Sequence, residues 1–541
     1  MPSEFYHDKT RNLLIYRNTS QFLTDQLRQA IPEAREVNGS YLAVPRNLRN
    51  SQVLRHFQFP VAPVITDQNY DWPIEPGKKA LEHQKVMANF AVLHPRGFNL
   101  SDPGTMKTMA ALWFSDWLMR RHPVGKCRAL IIAPLTILET VWVKAIFSAF
   151  LGKRTVEMLH GDANRRVNLL AKKPDYAVLN YDGLKVGVTT RKKFEMNGFA
   201  KALAEDEDIR IIICDEADGF CDATTLRHRV ARIAIGQRPY LLLQTGTPTG
   251  NAPTDVYGLS KLVNNAFGKS FKTLQNETMV QAYPGSFKWF PQKNGYEKAF
   301  RLLVPAIRFD IRDVWKGAPP CTVQQRMVEL TPEQKQHVAS LKKDLQVELK
   351  SGVLINPVNE AGARQKLLQI ILGGIYDSGH RSHTIDASPR VAEIERIIEQ
   401  TPRKVLCFLP LTNIVHLLYR HLSKRWRCGI INGEVTQKER GRLIRAFETE
   451  DDFKVMIMDP QPTAHGINEF VVADTVIWAG ITEKTRLYQQ GNKRAHRPGQ
   501  KWPVTIHQIV ATSFEKEIFH RLENNLSQAG ALLDVVRKGE L

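Results

Sequence analysis

The six cysteines of this 541-residue chain, Cys127, Cys214, Cys221, Cys321, Cys407 and Cys428, form no Cys-x-x-Cys pair and have no histidine at a zinc-ligand spacing. That excludes a zinc-stapled module and leaves reduced thiols in a cytosolic chain, several of them core residues. No apolar run reaches the ~20 residues a membrane span needs; the longest, ALIIAPLTIL at 129–138, falls far short. The start, MPSEFYHDKT, lacks a charged residue cluster followed by an apolar stretch, so no secretory signal is expected. Internal repeats at solenoid periods and low-complexity tracts are missing too. Negative charge is in deficit: 55 Asp and Glu face 75 Lys and Arg, a net +20 that favours a polyanionic partner. Residues 1–75 hold eight of each sign, so the whole excess lies in residues 76–541.

The hydrophobic share of 43% is that of a globular chain, and the length exceeds one core, which predicts two to four domains. Short apolar runs recur in two sets. ALIIA at 129–133, YAVL at 176–179, IIIC at 211–214 and YLLLQ at 240–244 form the first; KVLCFL at 404–409, KVMIM at 454–458, TVIWA at 475–479 and VTIHQIV at 504–510 form the second. Such runs separated by helix-length stretches read as buried parallel strands, hence two α/β domains in tandem. The neutral N-terminal segment, with GSYLAVPRN as a strand and YDWPIEPGKK as the entry to the core, reads as a small accessory domain. Near the other end, Thr512 and Glu515 have capping-box spacing before Ile518 and Leu522, which predicts a helix.

Four elements carry chemistry. In NLSDPGTMKTMAALWFSDWLMRR at 99–121, a turn of small residues runs into Lys107, Thr108 and a helix with Met109, Trp113 and Trp117 on its apolar side. Backbone N–H groups there suit phosphate oxygens, Lys107 suits the β/γ charge and the Thr108 hydroxyl suits Mg²⁺; an ordinary strand-to-helix turn is the alternative. RIIIC delivers Asp215, Glu216, Ala217 and Asp218 at the carboxyl end of a buried strand, where open α/β sheets bind ligands. Asp215 can hold the Mg²⁺ shell and Glu216 can orient the attacking water, or the segment is a solvated acidic turn. YLLLQ runs into Thr245, Gly246, Thr247 and Pro248, a turn able to sense nucleotide. Far downstream, Arg494 and Arg497 stand three residues apart, a spacing that places both on one side of a helix, either to meet phosphate charge or as a basic surface.

The order phosphate loop, DEAD, TGTP, RxxR resembles the Swi/Snf-like ATPases of helicase superfamily two. LEHQ at 81–84 is similar to their adenine-reading glutamine motif and LIIAPLTILETVW to their first nucleic-acid-contact motif. LHGDANRR, VLNYDGL and INGEVTQKERGRLIRAF also look similar, and PTAHGIN, ADTVIWAG and LYQQGNKRAHRPGQ resemble bacterial and bacteriophage members more than eukaryotic remodellers. The phosphate-loop pattern GxxxxGK(S/T) has glycines where this chain has Ser101 and Met106, and Met106 replaces the one directly before the lysine.

The resemblance implies an α/β fold of two tandem RecA-like parallel-sheet lobes with a small N-terminal α+β accessory domain, divided as 1–75, 76–310 (phosphate loop and DEAD) and 311–541 (arginine fingers and C-terminal helix). It implies ATP and Mg²⁺ as cofactors, with Gln84 reading adenine, Asp102, Gly104, Thr105, Met106, Lys107 and Thr108 around the phosphates, and Thr108 with Asp215 at the metal. Lys107, Asp215, Glu216, Arg494 and Arg497 would carry catalysis. Pro134, Thr136, Gly433, His465 and Gly466 would contact nucleic acid. The implied activity is an ATPase moving on double-stranded DNA in phage or bacterial replication, recombination, repair or protein displacement. A monomer in the bacterial cytoplasm is expected, without membrane contact and with phage or host replication or transcription proteins as further partners. Two alternatives remain: a strand-separating DNA or RNA helicase, and a degenerate ATPase serving as a DNA-bound interaction protein.

Overall fold

The computed structural model describes residues 5–524 apart from 9, 18–19, 39–40, 191–193, 251, 345–346, 349–353, 356–359, 377–380 and 461–468. The chain divides into two compact units, with the break between Val314 and Trp315.

All eight apolar runs are strands of parallel sheets. In the first unit a seven-stranded sheet has the order Ala306–Ile307, Arg96–Asn99, Tyr240–Gln244, Ile209–Asp215, Arg128–Ala133, Tyr176–Asn180, Val156–Met158, every pair parallel. The central strands are apolar on both faces because helices cover both. One face packs Leu130, Ile132, Leu179, Ile212, Cys214 and Leu243 with Phe199, Phe220 and Leu259; the other packs Ile131, Val178, Ile211 and Ile213 with Trp113, Trp117 and Trp142.

Residues 5–59 of the same unit build a separate antiparallel sheet, Phe5–Asp8, Leu13–Arg17, Tyr41–Pro45, Arg35–Val37, with the helices Gln21–Ala30 and Leu48–His56. Leu14, Tyr16, Leu27, Ile31, Val44, Leu54 and Phe59 form its own small core. The residues that follow are pinned to the larger sheet's helices: the Asn89 carboxamide oxygen accepts from the backbone N–H of Val64 and Ile65, and the Tyr70 hydroxyl donates to buried Asp116 at 2.8 Å. The Trp72 and Trp113 rings meet edge-on at 5.1 Å.

The second unit holds a six-stranded parallel sheet, Cys321–Met327, Val504–Val510, Ala473–Trp478, Lys404–Phe408, Phe453–Met458, Arg427–Ile431. Residues 513–524 form the expected helix, and half of the expected box is present: the Thr512 hydroxyl accepts from Glu515 N–H at 3.3 Å, but the Glu515 carboxylate reaches one residue further back, to Ala511 N–H at 2.8 Å. Both carboxylate oxygens of buried Glu515 also accept from Nη2 of buried Arg390, at 2.8 and 3.0 Å. Among the described residues no helix is long and apolar enough to cross a membrane.

A buried charge that loses its only counter-charge is costly, about 3–5 kcal/mol. Glu515→Ala is therefore expected to lower the unfolding temperature of the second unit markedly in calorimetry. Glu439→Ala, which breaks a pair with Arg442 on the exposed face of a helix, is expected to leave it unchanged.

Candidate functional site

Parallel register brings the chemistry of the first unit to one edge. Asn99, Gln244 and Asp215 are lateral neighbours at the carboxyl ends of three adjacent strands. The phosphate loop leaves from the first, TGTP from the second and DEAD from the third.

The loop 100–106 is held from outside by residues 305–311. Backbone N–H groups of Phe98, Leu100 and Asp102 donate to Pro305, Ile307 and Phe309, so the ladder runs past the end of the strand into the loop. Asp102 is buried; its carboxylate accepts from Ile311 N–H at 3.2 Å and meets the buried Arg308 guanidinium at 3.2 Å. The Thr105 hydroxyl donates to the Asp102 carbonyl at 2.7 Å, and Gly104 takes φ +89°, which suits glycine. Lys107 opens the 13-residue helix Lys107–Met119, and its ammonium donates to the Ser101 carbonyl at 2.6 Å. Thr108 follows in the first turn. Met106 is the N-cap of this helix with φ +58° and ψ +39°, the left-handed conformation that glycine adopts freely. The methionine thus keeps the glycine backbone, with its side chain 44% exposed. The TGTP turn lies directly on the loop: a Cβ on Gly246 would stand 2.6 Å from Pro103 Cδ.

Asp215 ends the central strand. Its carboxylate accepts from the Trp142 indole at 3.1 Å and from Glu216 N–H at 3.1 Å. Trp142 is delivered by a π-helical segment, Leu138–Val143, an uncommon backbone that clusters at functional sites. Burial, then the neighbouring Glu216 carboxylate, push Asp215 up to about 6, while the Lys107 ammonium pulls it down. Glu216 is left-handed at φ +51°, and the Tyr181 hydroxyl ties the turn by donating to the carbonyls of Asp215 at 2.7 Å and Glu216 at 3.1 Å. A helix N-terminus with a lysine suits phosphate, and a half-buried carboxylate with a threonine hydroxyl is hard-oxygen chemistry that suits Mg²⁺.

A model of the SNF2-related domain matches residues 83–372, and one of the helicase conserved C-terminal domain matches 389–499. The chain belongs to the SNF2-related family. Its two parallel-sheet units are the tandem RecA-like lobes of that family's core. It is 23% identical to an uncharacterized ATP-dependent helicase of Mycoplasma genitalium over 317 residues, covering 58% of this chain and 29% of that protein. With the mouse chromodomain-helicase-DNA-binding protein 1-like it shares 24% identity over 326 residues, 58% of this chain and 35% of that protein. The chain spans well under half the length of these curated relatives. Among solved structures, a Sulfolobus solfataricus SWI2/SNF2 ATPase core in complex with dsDNA is similar at 18% identity, covering 86% of this chain and 95% of that one with a TM-score of 0.39.

Several site residues behave differently from their sequence reading. Gln84 is buried, and its amide is engaged inside the lobe: the oxygen accepts from Leu81 N–H at 3.0 Å and the nitrogen donates to the Met106 carbonyl at 3.2 Å. It caps its own helix and steadies the phosphate loop. In the second lobe, Arg494 is buried in the helix Thr485–Ala495, which excludes a basic surface there. The expectation that Arg497 shares a helix side with it is wrong. The helix stops at Ala495, His496 is the C-cap, and Pro498 disfavours helical backbone at Arg497, which lies in the turn beyond. Pro134 and Thr136 stand in the turn after Arg128–Ala133, with Pro134 as the N-cap of Leu135–Ile137. Gly433 is exposed in the turn after Arg427–Ile431. His465 and Gly466 lie outside the described residues.

Trp142, Tyr181 and Arg308 were not singled out from sequence. Trp142 and Tyr181 sit inside motifs that look like the family's, so their signal was present; Arg308 had none.

The left-handed region costs a residue with a Cβ about 1–2 kcal/mol, part of which glycine returns through its freer unfolded chain. Met106→Gly is expected to stabilise the nucleotide-free protein by about 0.5–1 kcal/mol in chemical denaturation. Met106→Ile, branched at Cβ, is expected to destabilise it.

Proposed function

We propose that this chain is a DNA-dependent ATPase that moves along double-stranded DNA without separating its strands. The observation that carries the reading is the convergence on one sheet edge of Lys107, at a helix N-terminus, with half-buried Asp215, in a chain of the SNF2-related family. In this reading the backbone N–H groups of 104–108 and the Lys107 ammonium hold the β- and γ-phosphates. Lys107 leaves the Ser101 carbonyl for them, since a phosphate oxygen is the stronger acceptor. Thr108 and Asp215 would hold Mg²⁺, which when bound neutralises charge on the phosphate oxygens. Glu216 accepts a proton from the attacking water and orients it. Arg494 and Arg497 supply the positive charge that phosphoryl transfer needs. Gln84 serves the adenine end through the Met106 carbonyl. Pro134, Thr136 and Gly433 contact the duplex backbone, and the +20 charge supports binding through phosphates, which carry no sequence code.

Met106 bears on the degenerate-ATPase alternative. A loop that retains the glycine backbone despite a methionine supports a working phosphate site.

Glu216→Gln and Arg497→Ala are each expected to reduce duplex-stimulated ATP turnover strongly, Arg497→Ala by roughly 10³-fold or more. Duplex binding in filter or anisotropy assays is expected to stay at the wild-type level. Full turnover in the Arg494→Ala, Arg497→Ala double variant would sink the assigned arginine role. Efficient unwinding of a tailed duplex by the wild type, in place of triplex-strand displacement, would favour the helicase reading.

A further inference from the structure

Between the helices Phe271–Thr278 and Gly295–Phe300, the first lobe carries a short antiparallel hairpin, Met279–Gln281 with Trp289–Pro291, in which Val280 lies opposite Phe290. Its root is fixed. The Gln292 amide donates to the carbonyls of Met279 at 2.8 Å and Asn276 at 3.0 Å, and a Cβ on Gly295 would stand 2.2 Å from the Thr278 carbonyl oxygen. The turn is ordered as well. Buried Ser286 donates its N–H to Tyr283 at 2.9 Å, accepts Lys288 N–H on its hydroxyl at 3.0 Å and accepts the Gln281 amide on its carbonyl at 3.0 Å.

On this stem the aromatic side chains face solvent: Phe287 is 101% exposed, Tyr283 67% and Phe290 55%. Rings held on an ordered turn have given up burial that their own core does not return, which marks a contact surface. Charge narrows the occupant. No acidic residue lies between Glu277 and Glu297, while exposed Lys288 and Lys293 lie in the hairpin and the turn after it, and exposed Lys272 and Lys298 lie in the two flanking helices. Aromatic rings interleaved with cations are the arrangement that grips unpaired nucleic acid, because every base offers a π face and every nucleotide a phosphate. In a fully paired duplex the base faces are hidden within the stack.

We propose that this hairpin is a base-stacking element: Phe287 and Tyr283 stack on bases exposed where duplex DNA meets a single strand, and Lys288 and Lys293 bind the adjoining phosphates. The proposal deepens the DNA-motor reading and rests on it for the partner, but it needs no ATP hydrolysis.

The test uses the full chain without nucleotide and two DNA probes of the same duplex sequence, one blunt and one with a single-stranded tail carrying 2-aminopurine at the first unpaired position. The wild type is expected to change the 2-aminopurine fluorescence and to bind the tailed probe more tightly. Tyr283→Ala with Phe287→Ala is expected to lose roughly five- to a hundredfold in affinity for the tailed probe, with blunt-duplex affinity unchanged and Phe287→Trp close to wild type. Because Phe287 and Tyr283 are exposed, thermal unfolding is expected to be the same for all variants. An equal loss on both probes would overturn base stacking. No loss on either would overturn nucleic-acid contact altogether, and a concentration-dependent dimer abolished by Phe287→Ala would assign the face to a second copy. DNA binding with the 2-aminopurine response but without ATP turnover would overturn the motor reading alone; turnover without that response would overturn this proposal alone.

Discussion

Half-burying Asp215 beside Glu216 sets two carboxylates where water screens them less than at the surface, and the rest of the first lobe's site is arranged around that cost. Burial and the like charge raise the Asp215 carboxyl to about 6, and three groups answer it: the Trp142 indole, the Glu216 backbone N–H and the field of Lys107. The Glu216 N–H is the next residue's own, but the other two come from distant segments. Trp142 arrives on a π-helical turn after the neighbouring strand, and Lys107 begins a helix that leaves the strand two places away. They meet because parallel strands end in register, so a carboxylate at the end of one strand is opposed by whatever leaves the ends of its neighbours. A divalent cation with phosphate oxygens around it answers the same charge more completely than a single ammonium does, which is why this arrangement suits a nucleotide with its metal.

The strand cores were legible because burial on both faces leaves nothing but apolar residues to write them with. Ile209–Asp215 and Tyr240–Gln244 read as strands for that reason, and so did four runs of the second lobe. Edge and short strands carry no such signal. Cys321–Met327 pairs with only one neighbour and is largely exposed, so its polar residues hid it. Arg96–Asn99 has only four residues, and Arg96 spends its guanidinium on the carbonyls of Leu262, Val263 and Arg238. Its presence is what makes the phosphate loop a strand-to-helix turn at all. The motif residues were legible one by one, but their partners were not: nothing in LEHQ indicates that Gln84 turns its amide toward its own helix start and the Met106 carbonyl. The spacing of Arg494 and Arg497 misled because a helix was extended past His496, although Pro498 stands in the sequence as a reason to stop it.

Two residues with side chains adopt left-handed backbone at this edge, Met106 before the phosphate-loop helix and Glu216 after the central strand. Strain of this kind persists only where surrounding bonds over-determine the backbone. For Glu216 those bonds come from the Tyr181 hydroxyl, which takes both carbonyls of the turn. For Met106 they come from Gln84 on its carbonyl and from the helix that starts at the next residue. Both strained positions are thus held by side chains buried in the lobe, Tyr181 and Gln84, so the cost of the conformation is spread into the core.

The ladder along the loop completes this arrangement from the opposite side. Residues 305–311 pair with 98–102 and add the Arg308 guanidinium and Ile311 N–H to Asp102, so the loop is clamped between the sheet edge and the segment that leads to the end of the first unit at Val314. A loop that must present successive N–H groups to an anion cannot use them all on itself, and here the hydrogen bonds to 305–311 fall on 100–102, upstream of the helix start at Lys107. The clamp fixes where the loop begins, the left-handed residue fixes how it turns, and together they set the direction in which the helix starts at Lys107.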